Sequence, residues 1–354
     1  MRALIAMSGG VDSSVAAYLT AQQGYTCTGC TMKLFRGPED VSAPRSCCSL
    51  DDVEDARSVA FALGMPYYVF NFTGEFKAAV MDKFAAAYTK GLTPNPCIDC
   101  NRYLKFDKLH ERARVLGYDK VVTGHYARIT QDADGFHLLR ALNPAKDQSY
   151  VLYMLTQKQL AHTLFPLGDY SKDEIRALAE QLGFVNARKP DSQDICFIPT
   201  GRYAAVVEEL TGLSSRPGPY LDLAGNVIGT HKGIIRYTIG QHKGLGMSFP
   251  EPMYVCAIDP AENTVTLGPE SALFSRDAVV RDVNWIGGRA PEGPIRCEAK
   301  ARYRQQAMPA TAEPLEDGSV LLTFDEPVRA ITPGQAAVFY RGEEVLGGGV
   351  IQRK

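Results

Sequence analysis

The chain is 354 residues long and carries 38 Lys and Arg against 40 Asp and Glu, a formal charge of −2. With 22% charged and 45% hydrophobic residues, it reads as a globular chain of two or three domains, no strongly basic nucleic-acid binder, with any RNA contact left to local basic patches. No apolar stretch approaches the roughly 18 to 20 residues of a membrane span, and nine cysteines, an odd number, argue against a disulfide framework and for a cytoplasmic protein.

Ala3-Leu-Ile-Ala-Met7 is a short apolar run that reads as a buried strand, so the N-terminus is not expected to be a signal peptide. Ser8-Gly-Gly-Val-Asp-Ser-Ser14 follows, and Val15–Gln22 then reads as a helix closed by Gly24. A Gly/Ser/Asp turn at a helix N-terminus gathers backbone N–H groups at the positive end of the dipole, which suits phosphate. Gly9 and Gly10 let backbone approach the anion. Ser8, Ser13 and Ser14 add hydroxyl donors, and Asp12 offers a carboxylate to Mg2+ on the phosphates. The plain alternative is a Ser/Asp-capped turn. The string has no Walker A lysine and is not GxGxxG, which disfavours kinase-like and dinucleotide readings. It resembles the PP-loop of the ATP pyrophosphatases, which cleave ATP between the α- and β-phosphates.

Thr26–Leu34 reads as a strand whose alternation puts Cys27 and Cys30 on opposite faces, as packing residues. Cys47 and Cys48 are adjacent and poorly disposed to share one metal. Ser49-x-x-Asp52 opens a helix ending at Gly64. Tyr67–Phe70 is the next strand, Phe76–Tyr88 a helix, and Lys120–Thr123 a strand ending at Gly124-His125. Ser171-x-x-Glu174 is a capping box for a helix closed by Gly183. This alternation predicts an α/β domain with a doubly wound parallel sheet and ligands at the carboxyl ends of its strands.

After about residue 210 the pattern changes. Arg216-Pro-Gly-Pro219 breaks the chain and short strands follow, beginning with Tyr220–Leu223. Arg296–Arg304, Ser319–Phe324 and Ala336–Tyr340 read as strands, with turns at Glu316–Gly318 and Thr332–Gly334. The expected organisation is a catalytic domain over residues 1–203, a small central β-rich domain over 204–275, and a C-terminal β-barrel over 276–354.

Thr93-Pro-Asn-Pro96 leads into Cys97-Ile-Asp-Cys100, and a lone Cys196 lies in Asp191-Ser-Gln-Asp-Ile-Cys-Phe197. A CxxC opening a helix has its thiol pKa lowered by the dipole, favouring nucleophilic attack or metal ligation. A packing pair is the alternative. Cys256 and Cys297 lie in strand-like segments and read as packing.

Taken in order, SGGVDSS, TPNPCIDCNRYLKF, GHYAR at 124–128, KDQSYVLY at 146–153, DSQDICFI at 191–198 and the late RYR and TPGQ segments resemble the tRNA-specific 2-thiouridylase family, essentially end to end. The resemblance implies ATP-dependent thiolation of C2 of the wobble uridine in tRNAs for Lys, Glu and Gln. A carbonyl oxygen is a poor leaving group, and adenylation lets it depart as AMP so that sulfur can enter. By the same resemblance, Ala6, Met7 and the whole Ser8–Ser14 loop (Gly9, Gly10, Val11, Asp12 and Ser13 included) would hold ATP. Met32, following the second strand, would contact adenine through backbone, with Gly124 also at the nucleotide. Cys196 would carry sulfur as a persulfide and Cys100 would assist its release by forming a disulfide, or attack in its own right.

Members using that route often carry Asp where this chain has Cys97. Cys97, Cys100 and Cys196 are therefore also candidate ligands for a [4Fe–4S] cluster, as in a related tRNA thiolase group, or for a structural zinc. The implied tRNA contacts are Asn95, Pro96 and Cys97 around the flipped base, then His125, Lys146, Asp147, Gln148, Arg302, Tyr303 and Gln335. Lys300, Arg302 and Arg304 alternate along the predicted strand and would project toward phosphate, with Lys232, Arg236, His242 and Lys243 giving the central domain a similar footing. The expected partners are tRNA and a sulfur donor, either a persulfide carrier or a cysteine desulfurase relay, and the expected state is a monomer. An amidotransferase-type synthetase sharing the loop, and a metal-stabilised RNA-binding protein without catalysis, are the competing readings.

Overall fold

Five parallel strands carry the first half of the chain in the computed structural model, which describes residues 1–35, 50–191, 195–199 and 201–353. Cys47, Cys48, the Ser49 cap and residues 192–194 of the DSQD stretch lie outside the described residues. The strands up to residue 164 are β1 (Arg2–Ala6), β2 (Thr26–Lys33), β3 (Tyr67–Asn71), β4 (Lys120–Val122), the hairpin β5 (Ala127–Asp132) and β6 (Gly135–Arg140), and β7 (Thr163–Leu164). The parallel sheet runs β3-β2-β1-β4-β7, the doubly wound α/β arrangement expected.

Apolar side chains fill both faces of this sheet, as a parallel sheet requires. On one face, helices α1 (Val11–Gln22) and α2 (Leu50–Ala62) and the helix Lys172–Gln181 contribute Val15, Val59 and Ile175. On the other, the helices Asp82–Thr89, Leu109–Val115 and Tyr203–Thr211 contribute Phe84, Leu109 and Val207. Cys27 packs into the first core and Cys30 into the second, as strand alternation predicted. Burial pushes the Cys27 thiol pKa up to about 11.

Two boundaries in this domain differ from the sequence expectation. Helix α1 begins at Val11, not Val15. Gly10 takes the extended cap conformation, and the Ser13 and Ser14 hydroxyls donate back to its carbonyl at 3.0 and 3.1 Å, so the serines serve helix formation. The helix expected from Phe76 starts at Thr73 and runs to Thr89 through a π-helical stretch at Lys77–Met81. A second continuous helix runs from Pro96 to Val115 with a π-helical stretch at Cys100–Lys108.

The central sheet is built from β8 (Gly218–Leu221), β9 (Val227–His231), β10 (Tyr254–Asp259) and β11 (Thr264–Gly268), in the order β10-β11-β8-β9. Six antiparallel strands follow: β12 (Phe274–Trp285), β13 (Ile295–Lys300), β14 (Met308–Pro314), β15 (Val320–Arg329), β16 (Ala336–Arg341) and β17 (Glu344–Ile351). Pairing of β17 with β12 closes them into a barrel, and closure removes the exposed edges. The strand expected to reach Arg304 stops at Lys300. The Ala301 N–H is taken by the Gln305 side chain at 2.9 Å, and the chain turns. Arg302 and Arg304 therefore do not continue the strand face of Lys300.

One connection crosses the architecture. The hairpin from the first half pairs with the barrel, Leu138 opposite Val345 and Leu139 opposite Glu344. His137 joins the two elements, one ring nitrogen 2.6 Å from Glu344 and the other 2.9 Å from Asp132.

Candidate active site

The phosphate-type loop is tied down on every side. Met7 donates its N–H to the Cys30 carbonyl at 2.8 Å and accepts from the Thr31 hydroxyl at 2.6 Å, which seats the end of β1 and the half-buried Ala6 against β2. Ser8 N–H donates to the Ser13 hydroxyl oxygen at 3.1 Å. Gly9 has φ +77°, and a Cβ there would lie 2.3 Å from the Asp52 carbonyl oxygen, so only glycine fits. A Cβ on Gly124, just past β4, would lie 2.8 Å from the Ser13 nitrogen. Starting the helix at Val11 leaves the Gly10–Ser13 N–H groups without intrahelical acceptors, at the positive end of α1. That arrangement binds anions.

Around this loop stand residues that the motif did not single out. Asn186, 2% exposed, donates its side-chain amide to the Gly9 carbonyl at 3.0 Å and to the Ser14 hydroxyl oxygen at 2.9 Å. Asp12 Oδ1 accepts from the Tyr126 hydroxyl at 2.7 Å and from Lys172 Nζ at 2.8 Å. The Lys172 side chain is 8% exposed and also meets Asp191 Oδ1 at 2.7 Å. Asp191 Oδ2 takes Lys146 at 2.8 Å, and Arg176 lies 3.7 Å from Oδ1. Partial burial pushes the Asp191 carboxyl pKa up, but hydrogen bonds from Lys146 and Lys172 more than offset this and hold it below the usual carboxylate value.

Two of the thiols, Cys100 and Cys196, pack on the other face of the sheet. Asn95 caps the Pro96 helix, its Oδ1 accepting from Cys97 N–H at 3.1 Å. Cys97 is exposed, while Cys100 and Cys196 are half-buried. The last two pack against the same apolar cluster. Phe197 anchors that segment, its ring edge-on to Phe76 and Phe84 at 5.7 and 5.4 Å. The expected dipole-lowered thiol is not what Cys97 shows. Desolvation by surrounding protein raises its pKa, with Lys105 pulling only partly the other way. Among the described residues no three His, Cys, Asp or Glu side chains gather to hold a metal ion. As placed, Cys97, Cys100 and Cys196 do not form the three-thiolate set that a cluster or zinc needs.

The expected RNA-contacting residues fall into two groups. Tyr303 is exposed, its ring 5.7 Å from Tyr150, and close enough to Cys97 for the thiol to act on its pKa. Asn95 is half-exposed with Pro96 buried behind it. His125, Asp147, Gln148 and Gln335 are committed inward. His125 is buried, bonded through Nδ1 to the Thr123 hydroxyl at 2.7 Å and packed on Phe106 and Phe165. Burial, then Lys105, holds its pKa well below the usual histidine value. Asp147 accepts from the Ser149 hydroxyl at 2.9 Å, and Gln148 Oε1 from Tyr126 N–H at 3.0 Å. Gln335 donates to the Thr93 carbonyl at 2.7 Å.

Arg302 donates to the carbonyls of Ile239 and Ala330 at 2.9 and 3.1 Å and to the Thr332 hydroxyl. The guanidinium thus joins barrel to central sheet and does not form the outward stripe expected from alternation. In the central region Lys232 and Lys243 are exposed, while Arg236 is held by Glu208 at 3.2 Å and His242 lies against Tyr254. Met32 lies inside β2, opposite Phe70, and does not follow the strand.

A family model for a tRNA methyl transferase HUP domain matches residues 1–200, one for a tRNA methyl transferase PRC-barrel domain residues 210–269, and one for an aminomethyltransferase beta-barrel domain residues 275–351. A tRNA-specific 2-thiouridylase MnmA of Clostridioides difficile (strain 630) is 48% identical over 354 residues, spanning 99% of this chain and 98% of that protein. The protein of the same name from Heliobacterium modesticaldum (strain ATCC 51547 / Ice1) is 50% identical, spanning 99% and 92%. The chain belongs to the tRNA-specific 2-thiouridylase family. A solved 4-thiouridine synthetase–RNA complex with bound ATP is a looser likeness, at 20% identity and TM-score 0.37 over 60% of this chain and 50% of that one.

Within this 2-thiouridylase, sequence reasoning found the loop and the thiols but missed Lys172, Arg176, Asn186 and Tyr126. One signal was available for Lys172. It occupies the first turn of a helix, where the dipole disfavours a cation, so a lysine there needs an anion nearby. Asn186 and Tyr126 gave no local signal, because their partners are 177 and 114 residues away in sequence.

Proposed function

We propose that the chain is an ATP-dependent tRNA-uridine 2-sulfurtransferase acting on C2 of the wobble uridine in tRNAs for Lys, Glu and Gln. One observation carries the reading. Lys172 bridges Asp12 of the phosphate loop and Asp191, five residues before Cys196 in sequence, which supports an adenylating half and a sulfur-bearing half working together.

In the first half, the uridine C2 oxygen attacks the α-phosphorus of ATP, pyrophosphate leaves and N3 gives up its proton. The Gly10–Ser13 N–H groups and Lys172 meet the phosphate charge. Mg2+ arriving with the nucleotide would take Asp12 as its protein carboxylate and supply further charge neutralisation. In the second half, the terminal sulfur of a Cys196 persulfide attacks C2 and the C2–O bond breaks with loss of AMP. Cys100 thiolate then attacks Cys196 Sγ, forming the Cys100–Cys196 disulfide, and the thiolated base departs and regains a proton. Packing of both cysteines against one apolar cluster supports this exchange. A dithiol reductant reopens the disulfide, and a persulfide carrier or a cysteine desulfurase relay reloads Cys196. No step is routed through an iron–sulfur cluster, since the three thiols as placed do not form its ligand set.

The remaining expectations are a monomer in the cytoplasm, and among the described residues no helix is long and apolar enough to cross a membrane. An amidotransferase-type synthetase would share the loop but leave the cysteines and barrel without a role. Nucleoside mass spectrometry of tRNA incubated with the protein, ATP and a persulfide donor tests the reading. The expected product is 2-thiouridine, and Cys196→Ser should abolish it while tRNA-dependent pyrophosphate release continues. Absence of 2-thiouridine with the unsubstituted protein would overturn the assignment.

A further inference from the structure

We propose that a cavity at one end of the C-terminal barrel holds a single unstacked nucleotide of the RNA substrate, its base against Trp285 and its phosphates on Arg289 and Arg341. The inference rests on the tRNA part of the reading above and on nothing in its adenylation or sulfur chemistry.

The cavity measures about 210 Å³. It lies where the end of β12, the loop leading into β13, and the turn between β16 and β17 come together. Trp285, Ile295 and Leu346 supply apolar wall, and Arg289, Arg341 and Glu344 supply the polar groups. Pockets for drug-sized ligands run from about 300 Å³ upward, so this one has room for a base with its sugar and phosphate outside.

Trp285 is half-buried, its ring centroid 5.5 Å from that of the buried Phe339. Packing on the barrel core holds the indole as a flat surface on which a base can stack. Arg289 and Arg341 are exposed, and among the described residues neither has a hydrogen-bond or ion-pair partner. Arg276, Arg281, Arg296 and Arg329 of the same barrel each meet a carboxylate, at 2.7 to 3.7 Å. Two unclaimed guanidinium groups beside an aromatic ring suit the phosphates that flank a stacked base. Glu344 gives its Oε1 to His137 at 2.6 Å, which leaves Oε2 to accept from a base. An exocyclic amine satisfies it, and adenine, cytosine and guanine carry one where uracil does not.

This is not the place of the thiolated base. Strand β16 starts beside Gln335, which bonds the Thr93 carbonyl of the loop carrying Asn95, Pro96 and Cys97, and it ends at Arg341. Its six residues span about 20 Å. The nucleotide held at the Arg341 end therefore belongs to another part of the RNA. Sequence-specific RNA recognition works on unpaired nucleotides splayed onto aromatic and guanidinium surfaces, so the occupant is a loop or terminal nucleotide.

Tryptophan fluorescence reads this site alone, because Trp285 is the single tryptophan of the chain. Titrating the full protein with an unmodified tRNA transcript, without ATP, should quench its emission along the same curve as binding measured by filter retention. The double variant Arg289→Met, Arg341→Met should bind the transcript roughly tenfold more weakly, and the slope of log affinity against log salt should fall by about 1.4. Trp285→Leu should lose about fivefold or more in filter retention. ATP affinity should be unchanged in each variant. AMP should quench only at a concentration at least about a hundredfold higher than tRNA requires, and UMP less than AMP.

Transcript that binds in filter retention yet leaves Trp285 emission unchanged would overturn this inference and spare the tRNA reading. So would unchanged affinity and salt slope in the double arginine variant, whose side chains hold no structural contact. Quenching by AMP at the concentration that suffices for tRNA would make the cavity a free-nucleotide site, which also overturns it. A protein that binds no tRNA at all would overturn the inference and the tRNA reading together.

Discussion

The Gln335 side-chain amide donates to the Thr93 carbonyl at 2.7 Å, across 242 residues of sequence. Thr93 N–H in turn donates to the Pro333 carbonyl at 2.9 Å. The barrel therefore holds the loop that presents Asn95, Pro96 and Cys97. Gln335→Ala should cost about 1 kcal/mol in a urea melt and slow thiolation several-fold, because the loop that caps the Cys97 helix loses its outer support. Unchanged thiolation with a normal melt would show that the loop holds its shape unaided.

Arg302 gives a sharper contrast. Its guanidinium spends its donors on Ile239, Ala330 and Thr332, which leaves little for phosphate. Arg302→Met should destabilise the protein by roughly 2–3 kcal/mol and expose the junction near Ile239 to limited proteolysis. The slope of tRNA affinity against salt should stay unchanged, whereas loss of a phosphate contact would flatten it.

Asn186→Leu removes both amide hydrogen bonds under the phosphate loop and leaves the buried Gly9 carbonyl unsatisfied. A penalty of about 1–3 kcal/mol is expected, together with at least tenfold weaker ATP binding by calorimetry. Normal ATP affinity in a folded variant would mean that the loop keeps its shape without this support.

How much was legible in advance follows from how local each signal was. The phosphate loop, the parallel sheet and the opposed faces of Cys27 and Cys30 depend on neighbours within a few residues, and each was readable. The start of α1 was misjudged because Gly and Ser were read as a loop, whereas the serine hydroxyls close back on the Gly10 carbonyl. The role of Arg302 was hidden because strand alternation says nothing about where a strand stops. Asn186 and Tyr126 were invisible for a different reason, since their partners arrive only when the chain folds, and Lys172 gave only the hint of a cation in the first turn of a helix.

His137 supplies a pH dependence. Hydrogen bonds to Glu344 and then Asp132 raise its pKa above 6.5, so the folded state favours the imidazolium. The stability it contributes is fully present below pH 6.5 and is lost as pH rises through the higher, folded-state value. The thermal midpoint of the unsubstituted protein, relative to His137→Gln, should therefore fall between pH 6 and pH 8.5. A difference that stays constant or grows over that range contradicts the assignment.

Cys97 is exposed but its thiol pKa is raised from 9.0 by desolvation, with Lys105 opposing. Its alkylation at neutral pH should lag behind that of a free cysteine despite its accessibility, and should go on rising with pH after the free cysteine's rate has levelled off. Lys105→Met should slow it further. Rapid labelling at pH 7 would show that the thiolate is already formed.

The hairpin that pairs with β17 has a consequence for biosynthesis. Its partner strand is made late, with Glu344 following His137 by 207 residues. Until the last segment emerges from the ribosome, β6 presents an unpaired edge, the kind of surface on which chains associate with one another. A chain truncated before the barrel is complete would keep that edge permanently. Loss of the C-terminus should thus appear first as aggregation of an otherwise intact nucleotide-binding half, with the final strand acting as its cover.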